Sequence, residues 1–142
     1  MATETEQEFQ VAADAAGVRA AEWMREQLDA LAKANDSDDS SAQDEAQRAI
    51  DETPLSILVR DGWRQPGPMT PRFIEYGPEE YEILISTGGP ATRIIGKLGE
   101  HCEVDSAEFQ FQDWFKPWTT ADLSEEEAAT VLEWAQTFYF GE

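Results

Sequence analysis

Basic charge is what this chain has least of. Ten Lys and Arg stand against 30 Asp and Glu in 142 residues, giving a formal net charge of -20 and a pI near 4.1. Nucleic-acid phosphates and anionic lipid both repel such a surface, which argues against direct binding to either. Cysteine is nearly absent: Cys102 stands alone and cannot form an internal disulfide. Histidine is equally scarce, with His101 the sole example. No apolar run approaches the length of a membrane span, and the opening MATETEQEF has neither the basic nor the apolar region of a secretory signal. The expectation is a soluble cytoplasmic protein.

What is present is enough apolar material to fold. Hydrophobic residues make up 41% and aromatic residues 11%, too much for a disordered chain, and the length is one domain's worth. The acidity needs a physical reason, because self-repulsion at this charge lowers stability. Adaptation to high salt fits the low Lys count (Lys33, Lys97 and Lys116) but fits the five Trp poorly. Solubility accounts for a few acids rather than an excess of 20. The third reason is a functional acidic surface that meets a basic partner, and the usual basic surface in a cell is one built for nucleic acid.

Residues 4–34 place Phe9, Ala12, Ala13, Ala16, Ala20, Trp23, Met24, Leu28 and Leu31 at helical spacing, which predicts a long amphipathic helix. Gly17, about 1 kcal/mol less favourable than Ala inside a helix, is the expected place for a bend or fray. The Ala-rich stripe can pack on a sheet or pair with a second copy, so a homodimer through this helix is the alternative. Asn35 to Ser41 holds no apolar residue and reads as a polar linker. The expected division is therefore 1–40, helix and linker, and 41–142, a core domain that folds without the helix. The Asp-Ser-Asp-Asp series resembles the start of a calcium loop, but Ser41 stands where Gly is needed and Gln47 where a bidentate acid is needed. A short helix starts at Ser41, carries Ala46, Ala49 and Ile50, and stops before Pro54.

Four runs read as strands, at 55–60, 81–87, 92–98 and 107–114. Gly88-Gly89-Pro90 joins the second to the third as a hairpin, and the fourth alternates Phe109 and Phe111 with Gln110 and Gln112. Short connections leave no room for parallel crossovers. Residues 63–78 hold four of the seven prolines and read as an irregular connection. Ser124 begins a last helix in which Glu127 completes a capping box, with Ala128, Val131, Leu132, Ala135, Phe138 and Tyr139 on one face and Gly141 at its end. The fold class expected is α+β: a four-stranded, largely antiparallel sheet covered by the C-terminal helix, with a long N-terminal helix.

Motifs for catalysis do not survive scrutiny. His101 and Cys102 are adjacent, so they cannot readily face each other as base and nucleophile. Ser86-Thr87-Gly88-Gly89 offers glycine amides, but no Lys follows and the anionic chain repels phosphate. No cofactor, metal or enzymatic activity is expected. Candidate partner-binding residues are the helical acids Glu125, Glu126, Glu133, Asp44, Glu45, Asp51 and Glu52, a patch of Glu79, Glu80 and Glu82, and the aromatic anchors Trp63 and Trp118. Trp114 reads as core. Carboxylates three or four residues apart on a helix lie about 5–6 Å apart, comparable with phosphates whose rise along one strand is about 3.4 Å.

Gly62-Trp63 with Pro66-Gly67, Tyr81-Glu82-Ile83-Leu84 with Ser86-Thr87-Gly88-Gly89-Pro90-Ala91, and Gln112-Asp113-Trp114 with Pro117-Trp118-Thr119 resemble small uncharacterised proteins of tailed phages and prophages. The resemblance covers roughly Leu55 to Gly141. In size and charge the chain is also similar to DNA-mimic anti-restriction and anti-CRISPR inhibitors. These likenesses imply a phage-type inhibitor that binds a basic nucleic-acid-binding host protein in the host cytoplasm. The alternative they imply is a phage regulatory or assembly module that binds its partner without mimicry.

Overall fold

The computed structural model describes residues 4–60, 79–87, 90–99, 101–114, 116–138 and 140. The proline-rich connection, the Gly88-Gly89 turn, Trp63, Tyr139 and Gly141 lie outside the described residues. The chain opens with helices α1 (Glu4–Asp36) and α2 (Ser40–Asp51). Strands β1 (Ser56–Arg60), β2 (Glu80–Ser86), β3 (Pro90–Lys97), β4 (Glu108–Asp113) and β5 (Thr119–Thr120) follow, and helix α3 (Glu125–Ala135) comes last. The strands form one antiparallel meander in chain order. The class is α+β, with one strand more than expected. Thr119 and Thr120, too few to show a period, add β5 by pairing with Phe111 and Gln110.

One hydrophobic cluster holds these elements together, and α1 runs through it. Its Ala13, Ala16, Ala20, Met24 and Leu28 are buried with Ile83 and Ile94 of the sheet, Phe109 and Phe111 of β4, and Val131 and Trp134 of α3. Helix α1 packs on β4, β5, α2 and α3, so it covers the sheet together with α3. Residue 40 therefore does not separate two cores, and the linker shrinks to residues 37–39, where Asp39 caps α2 in place of Ser41. The physical reason lies in the small side chains. An alanine stripe buries little area alone but admits a close neighbour, and at Gly17 the neighbour comes close enough to exclude a side chain. A Cβ there would lie 2.8 Å from both Ala121 Cβ and Leu123 Cδ2. The glycine makes room for the 121–123 segment, and the helix continues unbroken through it.

In α3 the capping box forms as expected, Ser124 Oγ accepting from Glu127 N and Glu127 Oε1 from Ser124 N. The helix ends at Ala135, before Gly141, and its buried side is Thr130, Val131, Trp134 and Ala135, with Ala128 exposed. Trp134 sets this rotation. Its indole meets Trp23 edge-on at 5.4 Å and donates through Nε1 to Gln27 Oε1 at 2.8 Å. A buried indole needs both an apolar body and a partner for its N–H, and α1 supplies the two together.

Candidate functional site

The sheet presents two chemically different faces. Tyr81, Ile83, Ile94, Phe109 and Phe111 point into the core; Tyr81 is nearly fully buried, and its hydroxyl donates to Ser106 O at 2.6 Å. Burial raises the pKa of that hydroxyl well above the ordinary phenol value. The opposite face carries cross-strand rows of charge: Arg60, Glu80 and Lys97 in one, Leu58, Glu82, Ile95 and Glu108 in the next, and Leu84, Arg93, Gln110 and Thr120 in the third. A concavity of about 390 Å³ opens at the β1–β3 end of this face.

All of these charges but exposed Glu108 are paired with one another among the described residues. Glu80 accepts from Arg60 at 3.2 Å and pairs with Lys97 at 3.4 Å, while Glu82 accepts from Arg93 at 2.7 Å. The Arg60 hydrogen bond, aided by the Lys97 charge, holds the Glu80 carboxyl below its ordinary value against a smaller desolvation cost. Arg93 donates through Nε to Gln110 Oε1 at 2.8 Å and lies 4.1 Å over the Trp118 ring. Gln110, buried although it alternates with the core phenylalanines, is held by that bond and by donation to Thr120 Oγ1 at 3.1 Å. Trp118, a candidate anchor from sequence, is thus part of a stack that fixes Arg93. Glu79 is half-buried, its backbone N–H donating to Arg60 O at 3.0 Å.

The helical acids sit differently. Asp44, Glu45, Asp51 and Glu52 on and just after α2, and Glu125 and Glu126 in the first turn of α3, are exposed. Among the described residues no basic side chain is ion-paired to any of these six. Glu133 is the exception on α3: Arg25 bonds it at 2.9 Å and Asp29 at 3.0 Å. Those two partners raise the Arg25 guanidinium pKa, chiefly through the Glu133 hydrogen bond. The same contacts join the outer surfaces of α1 and α3. Gln27 joins α1 to α2 and the residues just after it as well, donating to Ala49 O at 3.4 Å and to Thr53 Oγ1 at 3.1 Å. The three helices thus form one layer, to which α1 adds exposed Glu22, Glu26 and Asp29. Sequence reasoning passed over these three; their spacing of four and three residues on a helix was the available signal.

Trp63 lies outside the described residues, and Trp114, expected in the core, is 60% exposed with φ of 43°. Cys102 has φ of 63° in the turn closed by Gly99 N donating to Glu103 O. Among the described residues no three His, Cys, Asp or Glu side chains converge as metal ligands, and no helix is long and apolar enough to cross a membrane. Compared with known proteins, the chain matches no family model, no curated protein and no solved structure.

Proposed function

We propose that this chain is a non-enzymatic acidic inhibitor of phage type, which binds a basic nucleic-acid-binding host protein by offering carboxylates where phosphates would sit. The observation that carries the reading is how charge is sorted. Glu80 and Glu82 on the open sheet face are neutralised by Arg60, Lys97 and Arg93, whereas Asp44, Glu45, Asp51, Glu52, Glu125 and Glu126 stand in solvent with no basic partner among the described residues, on a chain of net charge -20. Unpaired surface carboxylates attract a basic partner without first breaking an internal ion pair, and they accelerate encounter with it.

Capture from host lysate at low and high salt, followed by competition with duplex DNA for the captured protein, tests this. Binding should weaken steeply with salt, because exposed charges are screened beyond about 8 Å at physiological ionic strength. Replacing Asp44, Glu45, Glu125 and Glu126 by their amides should weaken it further, while Glu80→Gln with Glu82→Gln should leave it largely intact. A partner that holds this protein and DNA at once, or binding insensitive to salt, would instead favour a phage regulatory or assembly module without mimicry.

A further inference from the structure

Strand β1 is the terminal strand of the sheet, and among the described residues only β2 pairs with it. Six large hydrophobic side chains are exposed among the described residues, and four of them, Leu55, Ile57, Leu58 and Val59, fall on this one edge. Ile57 and Val59 register with Ile83 and Tyr81 and so continue the core face beyond the helices, which lie on β4 and β5 at the other end of the sheet. Leu58 stands on the opposite face, 59% exposed. An apolar edge with no second strand beside it among the described residues is a template for a further strand, and nothing charged interrupts Ile57-Leu58-Val59.

We propose that this edge pairs with the β1 edge of a second copy, joining two sheets into one across a twofold axis at Leu58. Three observations select a second copy. In an antiparallel pair centred on Leu58, Leu58 faces Leu58, Ile57 faces Val59, and Arg60 faces Ser56, so apolar meets apolar on both faces and no like charges are opposed. Thr53 to Arg60 is free of acids in a chain that carries 30 of them, so it is a stretch where a like-charged copy can approach. The apolar stripe of α1 is already buried within the chain's own core, leaving that helix little apolar surface for pairing.

Sedimentation across a range of protein and salt concentrations, together with site-specific cross-linking, tests the pairing. The dimer fraction should rise with protein concentration and also with salt, since screening relieves repulsion between two acidic bodies; binding of a basic partner should respond to salt in the opposite direction. Leu58→Lys should give a monomer whose melting curve matches that of the parent at concentrations low enough for the parent to be monomeric too, because the side chain it replaces is mostly exposed. In a Cys102→Ser background, Leu58→Cys should form a disulfide-linked dimer on mild oxidation, the opposed Cα atoms lying about 4.5–5.5 Å apart. Ser56→Cys should not, since the register sets its two copies about 14 Å apart. A monomer under all conditions would leave the edge to a foreign strand and overturn the proposal. So would a dimer that survives Leu58→Lys, or equal cross-linking at Ser56 and Leu58.

Discussion

Replacing Gly17 by Ala sets two effects of opposite sign against each other. In a helix interior the change should stabilise by about 1 kcal/mol, through helix propensity and a less flexible unfolded chain. At this position the new methyl would sit 2.8 Å from Ala121 Cβ and 2.8 Å from Leu123 Cδ2. Leu123 can rotate away. Ala121 cannot, because its Cβ is fixed to a backbone whose N–H donates to Phe109 O at 2.8 Å. Overpacking of this kind costs about 1–3 kcal/mol, so the net expectation is a loss of about 1 kcal/mol, or roughly 2–4 °C in Tm for a chain of this size. Thermal and urea melts followed by circular dichroism would measure it, with Ala15→Gly on the exposed side of α1 reporting propensity alone. Adding Ala121→Gly to Gly17→Ala should restore stability beyond additivity, because it removes the fixed half of the clash. Gly17→Ala as stable as the parent, or no coupling with position 121, would refute the close approach.

Deleting residues 1–40 should abolish cooperative thermal unfolding, because Met24 and the alanines around it belong to the single core; a surviving sharp transition would show that the sheet and α3 suffice. Trp134→Ala should cost about 3–5 kcal/mol, and Trp134→Phe about 1–3 kcal/mol for the orphaned Gln27 acceptor; a neutral Trp134→Phe in a urea titration would count against that hydrogen bond. Folding lowers the Glu80 pKa, so the stability this group contributes is complete above its unfolded value and is lost as pH falls through the lower folded one. Glu80→Gln should therefore lower the urea midpoint modestly at neutral pH, by about 0.2–1 kcal/mol for so exposed a partner as Arg60, and have no effect in strong acid; an equal loss at both pH values would contradict the assignment.

The sequence by itself determined what depends on neighbours along the chain. Helical periodicity placed α1, period-two alternation and turn residues placed the strands near their observed limits, and Ser124 with Glu127 announced the start of α3. The acidity was likewise legible, because composition needs no coordinates. Tertiary structure decided everything that required two distant segments to meet. Gly17 looks like a flaw in a helix until Ala121 and Leu123 are set against it, and an alanine stripe looks weak until its small volume is seen to admit them. Trp134, rather than Leu132, became the centre of α3 because Gln27, 107 residues earlier, accepts its N–H. The same holds for charge. Glu80 and Glu82 are indistinguishable from Glu125 and Glu126 in sequence, yet strand pairing sets the first two opposite or beside Arg60, Lys97 and Arg93 and leaves the second two facing solvent. A carboxylate's availability depends on which cation the fold brings within hydrogen-bonding distance, and spacing along one chain does not encode that distance.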